Sequence, residues 1–147
     1  MKNIGDFLPI IGPLVNLILY YNTGNQIYLI IVFVLLIEIH FASHIYKLLF
    51  YTLGLGSLRP KYNDKIMSDN PLIYNGMPSG HSSNITLFAL LYYHTNNSYL
   101  FMWLIPIMML QRILTKAHTL LQTIIGVLVG TIEYFIFIYV YYFIKNK

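Results

Sequence analysis

The sequence predicts an all-α integral membrane protein, a helical bundle of about five segments that forms one domain over residues 1–147. Hydrophobic residues make up 57% of the chain and charged residues only 10%. A soluble domain carries about 25% charged residues, so a water-facing exterior cannot be assembled from this chain. The apolar residues come in long runs parted by short polar turns, the pattern of helices that cross or enter a bilayer. One central stretch combines glycine, proline and charge: Gly54, Gly56, Arg59, Pro60, Lys61, Asp64, Lys65, Asp69, Pro71, Gly76 and Pro78.

The first segment, residues 8–21, is apolar but interrupted by Pro9 and Pro13. It reads as a short or re-entrant membrane segment, and it lacks the small-residue cleavage site of a signal peptide. Residues 22–26 form a polar turn. Residues 26–53 are a long helix, apolar through Leu36 and more polar after it, long enough to span with tilt or to project beyond the bilayer. Residues 54–78 are a loop containing Gly54, Gly56, Pro60, Pro71, Gly76 and Pro78, with Lys61, Asp64, Lys65 and Asp69 among them. Residues 79–94 are a short third helix opened by Ser and Asn. After a turn at 95–98, residues 99–115 and 118–144 are the fourth and fifth segments.

Alternation across a bilayer places the 54–78 loop and the 112–118 turn on one face, together with Met1. Most ionisable loop residues are then on that face. The positive-inside rule would make it cytoplasmic, but cations gathered to bind an anion would produce the same asymmetry, so orientation stays open. The chain has no cysteine, which excludes disulfides and thiolate metal sites. Its basic residues are dispersed among the turns and do not form a nucleic-acid-binding arm.

Three clusters share the loop-rich face: Arg59-Pro60, then Pro78-Ser79-Gly80-His81, then Arg112 with His118 and Gln122. Guanidinium groups hold phosphate oxygens bidentately and stay charged. Ser79 and Gly80 open a helix, where backbone N–H groups and the dipole favour an anion. Of two imidazoles, one can attack phosphorus while the other protonates the leaving oxygen. These residue types in this order suit phosphoryl transfer.

The clusters resemble the three signatures of the type 2 phosphatidic-acid phosphatase superfamily, whose helical core is shared with vanadium haloperoxidases. The family pattern is Lys-x6-Arg-Pro, Pro-Ser-Gly-His and Ser-Arg-x5-His-x3-Asp. Here Arg59-Pro60 matches the end of the first signature, residues 78–81 match all of the second, and Arg112-x5-His118 keeps the spacing of the third. The resemblance implies a membrane lipid phosphatase with no metal and no other cofactor. It implies His118 as the nucleophile that becomes a phosphohistidine and His81 as the acid for the leaving group. Arg59, Arg112, Ser79 and Gly80 would hold the phosphate. The implied partners are a lipid phosphate or diphosphate and the surrounding membrane lipids, with no nucleic acid. A multi-pass protein of this kind belongs in the endoplasmic reticulum if eukaryotic or viral, and in the plasma membrane if bacterial.

Three positions depart from the pattern. Gln111 replaces the Ser before Arg112. Gln122 replaces the Asp that orients the nucleophile, and its amide is expected to accept the imidazole N–H of His118. His118-Thr119-x-x-Gln122 and Gly76-Met77-Pro78-Ser79 are similar to the dolichyl-diphosphatase branch, which favours a polyprenyl diphosphate substrate. Thr52 stands where the family Lys would fall. Lys47 lies on a helical stripe with His40, His44 and Tyr51, expected to face the bundle interior, and is the candidate replacement cation. The competing reading is a degenerate member that binds a lipid phosphate or a membrane partner without turnover. Gly126-x-x-x-Gly130 is expected to pack closely on a neighbouring helix. Glu133 lies about 22 Å further along its helix than His118, too far for the chemistry, and is expected either to be paired in the interior or to serve the opposite face.

Overall fold

The computed structural model describes residues 7–62 and 69–147. Asp64 and Lys65, read above as loop charges, lie outside the described residues, as does Met1. The five predicted helices are present: α1 (Leu8–Thr23), α2 (Gln26–Thr52), α3 (Gly80–Asn96), α4 (Leu104–Leu114) and α5 (Leu120–Lys145). A 3-10 turn (Pro60–Tyr62) and a single α turn (Pro71–Tyr74) punctuate the long loop, and the described residues contain no strand beyond one isolated Leu58–Asn75 bridge.

The interior carries many polar side chains beside its apolar core, while the exterior is apolar, unlike a soluble protein. Asn16, Glu38, Ser43, Lys47, Asn84, Thr86 and Thr123 are buried, while Phe33, Ile37, Phe41, Ile45, Leu128, Ile132, Phe135 and Tyr139 are exposed. An apolar surface of that extent needs lipid around it. α2, at 27 residues, and α5, at 26, are long and apolar enough to cross a membrane; their lengths come to about 40 Å each, against a hydrocarbon core of about 30 Å.

α3 is the central post. Every residue from Ser82 to Ala89 is buried, with Leu87, Phe88 and Leu91 joined to Ile31 and Leu35 of α2 in the apolar core. α5 lies against α3 at backbone distance: a Cβ on Gly126 would strike the Ser79 carbonyl, and one on Gly130 the Ser83 carbonyl. The small-residue pair thus does what was expected of it. Glu133 is also paired as expected, accepting a bond from Ser83 Oγ at 3.0 Å. α1 pairs with α2 through a hairpin at Gly24, whose φ of +66° is easy for glycine.

Two expectations change. The fourth helix begins at Leu104 and not at residue 99. Pro106 has no N–H to bond the carbonyl of Met102 and its ring crowds that carbonyl, so extending the helix backwards would lose that bond and cost strain. Tyr99 instead stacks on Tyr93 at 4.5 Å and Phe101 packs on Tyr92 at 4.6 Å. The stripe on α2 also breaks. A π-helical turn at Glu38–Ala42 adds a residue to the register, so Glu38, Ser43 and Lys47 face inward. His40 is exposed and bonds the Leu36 carbonyl of its own helix at 3.0 Å. His44 is largely exposed, although it borders the cavity described next.

Candidate active site

The three motif clusters meet at one end of the bundle through backbone hydrogen bonds. Arg59 N–H donates to the Tyr74 carbonyl (3.0 Å), Gly76 N–H to the Ser57 carbonyl (2.7 Å) and Lys61 N–H to the Lys116 carbonyl (3.2 Å). After α4 the chain turns tightly, so the N–H groups of Ala117 and His118 both donate to the Arg112 carbonyl, at 3.0 and 3.1 Å. That turn is the physical content of the Arg-x5-His spacing: it holds guanidinium and imidazole side by side.

A cavity of about 160 Å³ opens among these elements, bordered by Lys47, Arg59, Gly80, His81, Arg112 and His118. Lys47, Arg112 and His118 are buried. Three cations with few solvent contacts share one small space, an arrangement that repels itself until an anion enters. Burial and the neighbouring Arg112 charge push the Arg59 guanidinium down from its ordinary value, though a guanidinium keeps its proton at any physiological pH.

His118 is fixed by Gly76. Its Nδ1 lies 2.9 Å from the Gly76 carbonyl oxygen. A carbonyl only accepts, so Nδ1 carries the proton and Nε2 is left as a bare lone pair. Burial, then the charges of Arg59, Arg112 and Lys47, push the imidazole down from 6.5 to about 2, outweighing the Gly76 bond. The ring is therefore neutral across the physiological range.

Two expected site residues are placed elsewhere. Gln122 does not bond His118. Its carbonyl oxygen accepts from Thr119 N–H (3.0 Å) in a capping box that starts α5, and its NH2 donates to Ser57 Oγ (2.8 Å) and the Leu58 carbonyl (2.9 Å). The amide's donors serve the loop, and a carboxylate could not supply them. Gln122 also packs against Gly76, where a Cβ would overlap its amide. Ser79 is fully buried away from the cavity wall: its N–H donates to the Gln122 carbonyl at 3.1 Å, and its hydroxyl accepts from Ser82 Oγ at 3.1 Å.

Sequence reading missed Asn75. Fully buried, it accepts from the N–H groups of Ser57 (3.1 Å) and Met77 (3.0 Å) and donates to the carbonyls of Lys47 (2.8 Å) and Met77 (3.0 Å). Its own carbonyl accepts from Arg59 Nε at 3.4 Å. One side chain thus ties α2 to both ends of the 54–78 loop, beside Gly76. The only signal was an Asn before a Gly, which marks turns of every kind. Thr52, where the family Lys would fall, is exposed and bonds the Leu49 carbonyl of its own helix at 2.9 Å, so Lys47 alone from α2 brings a cation to the cavity.

Among known proteins, the family model described as PAP2 superfamily matches residues 27–147, a span that holds every cation and histidine of the cavity. No curated protein and no solved structure matches the chain.

Proposed function

Because the chain belongs to the PAP2 superfamily, whose members are phosphatases, we propose that it is a multi-pass membrane enzyme that hydrolyses a lipid phosphate or diphosphate through a phosphohistidine. The observation that carries this reading is the cavity in which Lys47, Arg59 and Arg112 surround a neutral, carbonyl-oriented His118 with His81 on the same wall. The three cations hold the phosphoryl oxygens and offset the charge that develops on them in the transition state. The His118 Nε2 lone pair attacks phosphorus, the P–O bond to the leaving group breaks, and His81 gives its proton to the departing oxygen. Water then attacks the phosphorus of the phosphohistidine and passes a proton back to His81, releasing inorganic phosphate and restoring both rings.

An apolar exterior around the cavity supports a lipid as the source of the phosphate. The class covers polyprenyl diphosphates, favoured by the motif detail at 76–79 and 118–122, and phosphatidate-like monoesters. The test is phosphate release from a panel of lipid phosphates and diphosphates by the purified protein in detergent, with EDTA present. Release that persists in EDTA and is lost in His118→Ala upholds the reading; no release from any substrate overturns it in favour of a binding protein without turnover.

A further inference from the structure

The end of the bundle opposite the catalytic cavity holds a second recess, of about 170 Å³, where the last turn of α3 meets α5. His94 there lies about 20 Å along the α3 axis from His81, so nothing bound in it reaches the cations of the first cavity. Its polar lining includes His94, Tyr142 and Lys145, and its apolar lining Ile27, Leu91 and Phe137. His94 is held from both sides: the Tyr134 hydroxyl is 3.3 Å from Nδ1 and the Tyr142 hydroxyl 3.3 Å from Nε2. A neutral imidazole donates through one nitrogen and accepts at the other. One tyrosine therefore gives its proton to the ring, while the other accepts from the ring and keeps a proton to donate elsewhere. The Lys145 ammonium is 5.9 Å from the Tyr141 ring centre, the outer limit of a cation–π contact, whereas Lys147 lies 4.5 Å over Phe143. Among the described residues the acids are Glu38, Asp69 and Glu133. Glu133 is about 18 Å before Lys145 on α5, Glu38 about 16 Å beyond Ile27 on α2, and Asp69 belongs to the loop at the catalytic end. The recess thus offers a cation and a hydroxyl donor with no acid beside them.

The recess continues into a trough of about 220 Å³ between α2 and α5, sharing Phe137, Tyr141 and Lys145 with it and adding Ile30, Val140 and Ile144. A charged end joined to an apolar furrow on a lipid-facing surface matches one class of molecule. We infer that the recess binds an anionic phospholipid of the leaflet opposite the catalytic cavity, its phosphate between Lys145 and the Tyr142 hydroxyl and one acyl chain in the trough. The anion selects the ring tautomer in which Nε2–H donates to Tyr142, turning the Tyr142 proton toward the phosphate. A choline headgroup carries its own cation to Lys145 and is disfavoured. The inference does not rest on the phosphatase reading.

The experiment measures lipid affinity of the whole protein in a neutral detergent by native mass spectrometry, with phosphatidylglycerol and phosphatidylcholine of identical acyl chains. Wild type should bind phosphatidylglycerol tighter by about tenfold or more. Lys145→Met should weaken that binding by about tenfold or more, and Tyr142→Phe by about fivefold. A lysine that only adds to the surface field matters by about fivefold or less, and Lys147→Met should do no more than that. The melting temperature should rise with added phosphatidylglycerol in wild type and less so in Lys145→Met. Equal affinity for the two lipids overturns the inference, and the wild-type comparison decides this even if a variant fails to fold. Unchanged binding in Lys145→Met places the lipid elsewhere and also overturns it. Equal losses in Lys145→Met and Lys147→Met reduce the recess to diffuse attraction and overturn it as well. Displacement of the lipid by an equal concentration of inorganic phosphate would make this a site for the free anion, against the inference. Phosphate release from lipid monoesters tests the phosphatase reading separately, and neither result bears on the other.

Discussion

Lys47→Met separates binding from stability in opposite directions. Lys47 is 9% exposed and shares its cavity with Arg59, Arg112 and His118. Methionine keeps the stem and its packing on α2 but removes the charge. A charged hydrogen bond to a phosphate oxygen contributes about 1.5–3 kcal/mol, so kcat/KM should fall by about 10- to 150-fold, with KM raised and kcat lowered together. Without substrate the sign reverses. The variant no longer buries an ammonium beside two guanidinium groups, and its melting temperature in detergent should rise. The assay is phosphate release on a confirmed substrate, with thermal unfolding of the ligand-free protein alongside. Wild-type kinetics would show that Lys47 does not reach the phosphate. Lower stability with lost activity would show that it supports the fold and not the anion. Thr52→Lys should rescue nothing, because position 52 is exposed.

Gln122→Ala and Gln122→Asp should both slow turnover, by about tenfold, because neither donates to Ser57 and Leu58; recovery in the Asp variant would restore the direct orienting role that the structure removes. Asn75→Asp deletes two donors facing the carbonyls of Lys47 and Met77, so it should cost about 3 kcal/mol of stability, measured by denaturant unfolding in mixed micelles. His118 has a folded value of about 2 against 6.5 when unfolded, so the unfolded chain binds the extra proton. Stability is full above pH 6.5 and declines as pH falls below it, by about 2 kcal/mol at pH 5. His118→Gln should flatten that decline, and an unchanged pH profile would contradict the buried neutral ring.

Much of this architecture was legible because lipid imposes simple rules. Unbroken apolar runs had to be helices, and Gly126 and Gly130 had to face another backbone. The cations and both histidines were legible because phosphoryl transfer needs those groups in a fixed order, and Arg59, His81, Arg112 and His118 do border one cavity. The α2 stripe was misread because a π turn leaves no mark in composition; the clue was Glu38 itself, a carboxylate inside an apolar run, which had to face inward. Gln122 was misread because its spacing to His118 allows the contact, while its actual partners, Ser57 and Leu58, lie more than sixty residues away. A long-range bond from a side chain to a loop has no local signature. The start of α4 turned on one atom, the missing N–H of Pro106.

The central claim is a covalent phosphate on His118, and the most direct measurement is to trap it. Protein mixed with a lipid phosphate carrying labelled phosphorus, quenched in alkaline denaturant within the first turnovers, should yield an alkali-stable, acid-labile label. Mass spectrometry should place it on His118, and it should be missing from His118→Ala. Brisk phosphate release with no label on the protein, or a label that survives in His118→Ala, would contradict the account.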